Sequence, residues 1–222
     1  MRIGEKYVSG RSYETSSLDN HTGKPIQEAL SIMKSEQIRH IPVLQDGKLV
    51  GIVTNEDLVY ASPSPATSLS IWEMNYLLSR ITVREVMTEM VITVTEDTPI
   101  EEAALLMAEH KIGCIPVMRD NQLVGIITET DLFKIFPELM AIHQAGVRVT
   151  FMVKDVPGQL AQVTKVIAEQ GGNFISFVQF AGENHENRLV TIKVNGLTLE
   201  QVRFCLSKIV EKVVDIRVNY LK

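Results

Sequence analysis

The chain of 222 residues contains one sequence unit twice. Residues 25–58 align without a gap on residues 99–132, at an offset of 74 positions, and 17 of the 34 aligned pairs are identical. Identity of this extent over this length indicates a duplicated structural unit. Two copies of one unit can form a pseudo-twofold pair with a cleft between them, so the sequence favours a binding module over a single catalytic centre.

The second copy predicts five elements in the order β-α-β-β-α. Ile100, Ala103, Ala104 and Met107 fall at positions i, i+3, i+4 and i+7, which is the apolar stripe of an amphipathic helix. The predicted elements are a strand at 91–95, a helix from about 98, strands at 115–118 and 123–127 joined by a turn at 120–121, and a helix from 128 to about 136.

The first copy repeats this plan from its first helix onward, but its upstream segment differs. Residues 7–20 are mostly Ser, Asp, Asn, Gly and Tyr and show no strand pattern. We therefore expect the N-terminal strand of the first copy to be degenerate or disordered. The repeat region then divides into a first domain at 1–60, a Pro/Ser linker with a helix at 61–80 and a second domain at 81–138.

Residues 146–222 predict a third unit of a different kind. Alternating apolar residues at 147–153 indicate a strand with one wet face, and a turn at 155–158 leads into a helix. Two further strands follow, then a helix that opens on the capping box Thr198–Gln201, then a last strand. The order β-α-β-β-α-β is the ferredoxin-like split pattern, so the fold class is α+β.

Composition limits the partners that the chain is expected to have. The net charge is −5, from 22 basic and 27 acidic side chains, which argues against a nucleic-acid partner. No window approaches the roughly 18–20 apolar residues of a membrane span, and the N-terminus lacks the apolar core of a signal peptide. We therefore predict a cytoplasmic protein without a membrane partner, in which Cys114 and Cys205 are buried, reduced thiols.

The sequence contains no recognisable catalytic or metal-binding constellation. Its five histidines lack the spacing of metal ligands; they are His21, His40, His110, His143 and His185. No nucleophile elbow, phosphate-binding GK[ST] loop or C-x-x-C motif is present. We therefore predict a protein without catalytic residues, metal or cofactor.

The duplicated unit resembles the CBS domain, whose hallmark is an apolar-Pro-Val strand followed by Gly-apolar-apolar-Thr-x-x-Asp. The motif occurs at 41–43 with 51–57, and again at 115–117 with 125–131. Two such copies resemble a CBS pair, or Bateman module. The C-terminal unit at 146–222 resembles an ACT domain. The whole order, with its Pro/Ser linker, resembles the acetoin-utilisation AcuB-type proteins, which implies a homodimer and a link to acetoin or acetyl-group metabolism.

The two Thr-x-x-Asp sequences have two interpretations. As capping boxes, they need only satisfy backbone N–H groups at the starts of their helices. As CBS nucleotide sites, the helix end and the Thr hydroxyl would meet a phosphate, and the Asp carboxylate would accept hydrogen bonds from both ribose hydroxyls.

The resemblance to CBS proteins also indicates which residues surround the nucleotide. Arg39 and His40 would meet phosphates, whereas the matching positions Gly113 and Cys114 carry no charge, so the two clefts are chemically unequal. Because the first copy lacks a clear opening strand, the site around Thr128 and Asp131 is expected first. The predicted nucleotide-binding residues are Thr128, Asp131, Thr54, Asp57, Arg39, His40, Ile92, Val94, Ile112 and Pro116.

In the ACT-like unit, the turn after the first strand has two interpretations as well. It is either an ordinary strand-to-helix turn or, by the resemblance, a site for an amino acid. The residues of that site would be Asp155, Pro157, Gly158, Leu160 and Asn173.

These expectations combine into a non-enzymatic regulatory protein. An adenine nucleotide (AMP, ADP, ATP or S-adenosylmethionine) is predicted to bind the CBS pair, with an amino acid in the ACT-like unit and an unidentified protein as the regulated partner. One rival is a structural scaffold in which both Thr-x-x-Asp sequences only cap helices. Another is an enzyme whose site forms between subunits.

Overall fold

The computed structural model describes residues 3, 18–19, 22–62 and 70–220. The chain divides into two compact units, Met1–Leu132 and Phe133–Lys222, which are described separately below. Most of the segment 7–20 and the Pro/Ser part of the linker lie outside the described residues.

The first unit contains both copies of the repeat. Its strands are β1 (Leu18–Asp19), β2 (His40–Gln45), β3 (Lys48–Thr54), β4 (Val94–Thr95), β5 (Cys114–Arg119) and β6 (Gln122–Thr128). Its helices are α1 (Ile26–Glu36), α2 (Asn55–Ala61), α3 (Ile71–Leu78), α4 (Val83–Val86), α5 (Ile100–His110) and the start of α6 (Glu129–Leu139).

Each copy builds a three-stranded sheet of the same plan, in the orders β1-β2-β3 and β4-β5-β6. The first strand pairs parallel with the second, and the second and third form an antiparallel hairpin. Both hairpin turns have two successive residues with positive φ, Asp46-Gly47 and Asp120-Asn121, as a type I′ turn requires.

The first copy does have a counterpart of the opening strand, although no pattern in the sequence indicated one. Leu18 of β1 pairs with Val43, and Val94 of β4 pairs with the equivalent Val117. Leu18 and Val94 are 76 residues apart rather than 74, so the pairing is displaced by two positions. A displacement of two preserves the faces of a strand, because side chains alternate with period two.

The core of the first copy is built by the stripe that the sequence predicts on α1. Ile26 and Ala29 are fully buried and Met33 nearly so, and they pack against residues of β2, β3 and α2. The equivalent positions Ile100, Ala103 and Met107 on α5 are buried as well. Burial of the first helix of each copy therefore follows from the apolar pattern that the two copies share.

Backbone hydrogen bonds join the two copies. Ile52 on β3 donates to the carbonyl of Thr88 at 3.0 Å, and Thr88 donates back to the carbonyl of Ile52 at 2.9 Å. A Cβ atom on Gly51 would lie 3.1 Å from the Thr88 carbonyl oxygen and 2.5 Å from Sδ of Met87. The glycine of the repeat motif therefore allows the segment before the second copy to approach β3 closely.

The second unit confirms the ferredoxin-like order. Its strands are β7 (Gly146–Lys154), β8 (Asn173–Ala181), β9 (Asn187–Asn195) and β10 (Lys212–Asn219), and its helices are α7 (Gln159–Glu169) and α8 (Leu199–Leu206). The sheet is antiparallel in the order β10-β7-β9-β8. Alternate residues of β7 and β9 pack against Val163 and Ile167 of α7 and against Val202 and Leu206 of α8.

One lysine of this sheet is buried. Lys193 on β9 is 1% exposed, and its Nζ donates a hydrogen bond to the carbonyl of Ala141 at 2.8 Å. Burial lowers the pKa of Lys193, and the positive charge of Arg148 lowers it further. The hydrogen bond ties the segment after α6 to the sheet.

Helix α6 is longer than the sequence predicts. The sequence predicts an end at about Phe136, and the next residue, Pro137, lacks a backbone donor and disfavours helix continuation. The helix instead continues through Pro137 to Leu139. In the parts of the chain that are described, no helix is both long and apolar enough to cross a membrane.

The close approach at Gly51 can be tested by adding one methyl group. We expect Gly51→Ala to destabilise the protein by about 1–3 kcal/mol, because the backbone of Thr88 must shift to accommodate the new Cβ. Gly23→Ala is the matched control, since a Cβ there has no neighbour within 4 Å. Urea denaturation of both variants measures the effect, and equal midpoints for the two would contradict this role of Gly51.

Candidate functional site

The first unit contains a cavity of about 620 Å³ that both copies of the repeat line. The first copy contributes Arg39, His40, Ile52, Thr54, Asn55, Glu56 and Asp57. The second copy and the segment before it contribute Thr88, Met90, Val91, Ile92, Lys111, Ile112, Gly113, Cys114 and Glu129. The volume lies within the range of about 300–1,000 Å³ that is typical of small-molecule sites.

The cavity includes both members of several pairs related by the duplication. His40 and its counterpart Cys114 line it together, and so do Asn55 and its counterpart Glu129. By contrast, Thr54 lines the cavity and its counterpart Thr128 does not. The cavity therefore spans the junction of the copies and extends toward the Thr-x-x-Asp of the first.

Thr54 and Asp57 form a complete capping box at the start of α2. Oδ2 of Asp57 accepts hydrogen bonds from the backbone N–H and the hydroxyl of Thr54, both at 2.8 Å, and the N–H of Asp57 donates to Thr54 Oγ1 at 3.1 Å. Within the described residues, no hydrogen bond is recorded for the other carboxylate oxygen, Oδ1. The capping interpretation is confirmed here, and one oxygen of the carboxylate can still accept hydrogen bonds.

The capping geometry changes the role expected for Thr54. Its hydroxyl proton is donated to Asp57, so it is not directed at a phosphate. The first backbone N–H of each helix is also engaged, since Asn55 donates to the carbonyl of Arg39 at 2.8 Å and Glu129 donates to that of Gly113 at 3.0 Å. An anion in this cavity must therefore be met mainly by side chains.

The cationic side chains of the lining are Arg39 and Lys111, which are exposed at the rim. His40 is half-buried and lies close to the backbone of Gly113. A Cβ atom on Gly113 would be 3.1 Å from Nε2 of His40. The pKa of His40 is below its usual value, chiefly because burial disfavours the charged ring and then because Arg39 repels it. Glu129 and Asp57 act in the opposite direction without reversing the shift.

Cys114 and Glu129 lie on the side of the cavity that the second copy forms. Burial raises the pKa of the Cys114 thiol to about 12, with the negative charge of Glu129 as the second cause. A thiol with this pKa is protonated near neutral pH and is a poor nucleophile. Its burial and its raised pKa therefore indicate that Cys114 has a packing role and does not act as a nucleophile.

An apolar wall completes the cavity. Val91 and Ile92 lie three and four residues after Thr88, which forms the backbone bridge to Ile52, and Ile112 lies just before β5. Met90 extends this wall toward solvent and is 92% exposed. The described lining thus combines an apolar surface with two cations and three carboxylates, those of Glu56, Asp57 and Glu129.

The structure brings together six of the ten predicted nucleotide-binding residues. Arg39, His40, Thr54, Asp57, Ile92 and Ile112 line the cavity. The other four, Thr128, Asp131, Val94 and Pro116, are not part of this lining. Thr128 and Asp131 form the same reciprocal cap at the start of α6, with Thr128 Oγ1 donating to Asp131 Oδ2 at 2.7 Å. Val94 and Pro116 are buried in β4 and β5.

Sequence reasoning missed ten residues of the lining, among them the charged Glu56, Lys111 and Glu129 and the exposed Met90. In the aligned copies, Glu56, Lys111 and Glu129 stand opposite the neutral Thr130, Gln37 and Asn55. A position-by-position comparison of charges between the copies could therefore have identified all three. Met90 lies outside the aligned copies and carries no such signal.

In the ACT-like unit, the predicted amino-acid site has the geometry of an ordered turn. Asp155 pairs with Arg188, whose Nε and Nη2 approach Oδ2 at 2.8 and 2.6 Å. Gly158 has φ +85° at the start of α7, Leu160 packs against the core and Asn173 begins β8. Pro157 lies in the same turn. The carboxylate of Asp155 is therefore already engaged, and amino-acid binding here stays a prediction.

Comparisons with known proteins agree with this architecture. The sequence model of the CBS domain matches residues 21–64 and 83–138, and that of the TTHA0829-like ACT domain matches residues 145–217. The CBS domain-containing protein YhcV of Bacillus subtilis is 32% identical over 107 residues, which cover 48% of this chain and 69% of that protein.

A solved structure and an enzyme are also similar to this chain. A Vibrio cholerae protein described as an acetoin utilization protein (AcuB) is 30% identical, with a TM-score of 0.50 and coverage of 64% of this chain and 94% of the other. L-aspartate semialdehyde sulfurtransferase of Methanocaldococcus jannaschii is 33% identical over 118 residues.

The extent of these matches limits what they transfer. The matched region covers 52% of this chain but only 20% of the sulfurtransferase, and the matches cover 21% and 41% of two other long curated relatives. The duplicated motif, the two matching sheets and the family matches agree with one another. The chain belongs to the CBS domain family, with two CBS domains followed by a TTHA0829-like ACT domain.

Proposed function

We propose that this protein is a non-catalytic sensor that binds an adenosyl ligand, AMP, ADP, ATP or S-adenosylmethionine, in the cavity between its two CBS domains. The observation that carries the proposal is the combination within one cavity of a carboxylate oxygen available to a ribose, two cationic side chains and an apolar wall. These three features correspond to the sugar, the 5′ substituent and the base.

Asp57 is the proposed ribose acceptor. Its Oδ2 is held by Thr54, which fixes the orientation of the carboxylate, and Oδ1 remains to accept hydrogen bonds from the 2′- and 3′-hydroxyls. Hydrogen bonds to a charged group contribute about 1.5–3 kcal/mol each. In this proposal the capping box and the nucleotide site are the same residues, because the cap positions the acceptor.

The purine is proposed to lie against Val91, Ile92 and Ile112. Covering about 150 Å² of apolar surface contributes about 4 kcal/mol at the usual coefficient. With two hydrogen bonds to Asp57, the sum reaches the roughly 8 kcal/mol that a micromolar ligand requires. The apolar wall therefore contributes about as much as the sugar contacts.

A phosphate on the 5′ carbon is proposed to meet Arg39 and Lys111 at the rim, with His40 below them. In this proposal these side chains, rather than the N-terminus of a helix, are the main anion-binding element, because the N–H groups of Asn55 and Asp57 already have acceptors. The pair Arg39-His40 keeps the role expected from the sequence.

Regulation by such a ligand requires that its affinity differ between two states of the protein. The partner whose binding would change is unidentified, and a homodimer and a link to acetoin or acetyl-group metabolism stay predictions. A second nucleotide site at Thr128 and Asp131 also stays a prediction. The rival proposal is a scaffold without ligand, which gains support if calorimetry detects no binding of any adenosyl compound at millimolar concentration.

The two capping boxes offer a matched pair of mutations. We expect Asp57→Asn to weaken AMP binding about tenfold or more, because the amide loses the charge that strengthens its bonds to the ribose. Asp131→Asn perturbs an equivalent cap outside the cavity and should leave the affinity within about twofold. Isothermal titration calorimetry with AMP measures both variants. The reverse result would place the nucleotide at the second motif, and no effect of either variant would exclude both carboxylates.

Protonation of His40 provides an independent check of where the phosphate lies. The pKa of His40 is lowered in the ligand-free protein, so a phosphate placed beside it should raise that pKa and cause proton uptake near pH 6.5. Calorimetry of AMP binding in buffers of different ionisation enthalpy measures the uptake.

His40→Asn is the reference for this measurement, because the phosphate has its own pKa near 6 and also exchanges protons. We expect the wild-type protein to take up more protons per AMP than the variant, and adenosine to cause no such difference. Equal proton uptake by wild type and variant with AMP would place the phosphate away from His40.

A further inference from the structure

We propose that the cavity prefers adenosyl ligands with few negative charges and that Glu129 is the residue that sets this preference. The proposal rests on the adenosyl site proposed above and names the class of ligand for that site. A single phosphate, or a cationic 5′ substituent such as a sulfonium, fits the charges of the lining better than a polyphosphate does.

The charged side chains of the lining do not favour a polyanion. Two cations, Arg39 and Lys111, stand against the three carboxylates of Glu56, Asp57 and Glu129. His40 adds no charge near neutral pH, because burial and Arg39 both lower its pKa. The formal charge of the lining is therefore +2 − 3 = −1. One phosphate brings a charge of about −1.5 to −2, which the two cations can match.

Among the described residues of the lining, additional phosphates find no cations beyond Arg39 and Lys111 and meet carboxylates instead. Glu129 is central to this argument because it lines the cavity and its carboxylate lies close to the lining residues Gly113 and His40. Its Oε2 is 3.7 Å from the position of a Cβ on Gly113, beside the ring of His40. Among the described residues, no ion pair or side-chain hydrogen bond is recorded for Glu129, so its negative charge is not neutralised by a protein partner.

The duplication supplies an internal reference for Glu129. The equivalent position in the first copy is Asn55, which also lines the cavity but carries no charge. Both residues occupy the first position of a helix. The N–H of each donates to the carbonyl of the residue just before the Pro-containing strand of its own copy, which is Arg39 for Asn55 and Gly113 for Glu129. The helix start therefore tolerates a neutral side chain, and the charge of Glu129 is not needed to form the helix.

Calorimetry at one fixed ionic strength tests the proposal with four probes: adenosine, AMP, ATP and S-adenosylmethionine. In the wild-type protein we expect ATP to bind more weakly than AMP and S-adenosylmethionine to bind at least as tightly as AMP. Glu129→Gln should strengthen ATP binding about threefold to tenfold, weaken S-adenosylmethionine binding by a similar factor and leave adenosine unchanged, because only the charged substituents sense the carboxylate.

Glu102→Gln is the matched control, since Glu102 is an exposed acid on α5 that does not line the cavity. It should leave all four affinities unchanged. Raising the salt concentration should reduce the differences among the probes, because screening weakens interactions between exposed charges.

The outcomes separate this inference from the proposed function. If adenosyl compounds bind but Glu129→Gln shifts ATP and S-adenosylmethionine in the same direction, or shifts neither, the charge selection is wrong and the adenosyl site stands. If wild-type protein binds ATP more tightly than AMP, the inference is also overturned. If none of the four probes binds to folded protein, the adenosyl site itself is wrong and the inference falls with it.

Discussion

The cavity depends on a pair of backbone hydrogen bonds between Ile52 and Thr88. They attach the segment that precedes the second copy of the repeat to β3 of the first, and Val91 and Ile92 of that segment line the cavity together with Thr54 and Asp57. The approach is possible because Gly51 has no side chain. The connection places the proposed purine wall and the proposed ribose acceptor in one cavity. A glycine that resembles an ordinary motif residue thus allows the two copies to line a shared cavity.

Duplication produced two similar halves, and later divergence made the shared cavity asymmetric. His40 and its counterpart Cys114 both line the cavity, and so do Asn55 and its counterpart Glu129. The first pair combines an imidazole with a thiol, and the second combines a neutral amide with an acid. A symmetric pair would present identical chemistry twice. Here the first copy supplies the proposed ribose acceptor, Arg39 and His40, whereas the apolar wall and the carboxylate of Glu129 come from the second copy and the segment before it. This asymmetry is the basis of the proposed selectivity for charge.

Local patterns in the sequence predicted most of the fold. The stripes of α1 and α5, the turns at Asp46 and Asp120 and the capping boxes depend on neighbours within a few residues, so their spacing is visible in the chain. The strand at Leu18–Asp19 was missed because it is held by pairing with Val43 and Leu44, which lie far along the chain. The continuation of α6 through Pro137 was missed because proline near the last turn removes only one hydrogen bond. The location of the cavity was not predictable from periodicity, since it follows from contacts between copies; its described lining includes Asp57 but not Asp131.

The most direct measurement is a crystal structure of the protein with AMP. The account predicts that the ribose hydroxyls lie about 3 Å from Oδ1 of Asp57. It also predicts that the purine lies against Ile92 and Ile112 and that the phosphate lies between Arg39 and Lys111. Electron density for AMP at Asp131 with this cavity empty, or a cavity closed by the protein's own side chains at saturating AMP, would contradict the account.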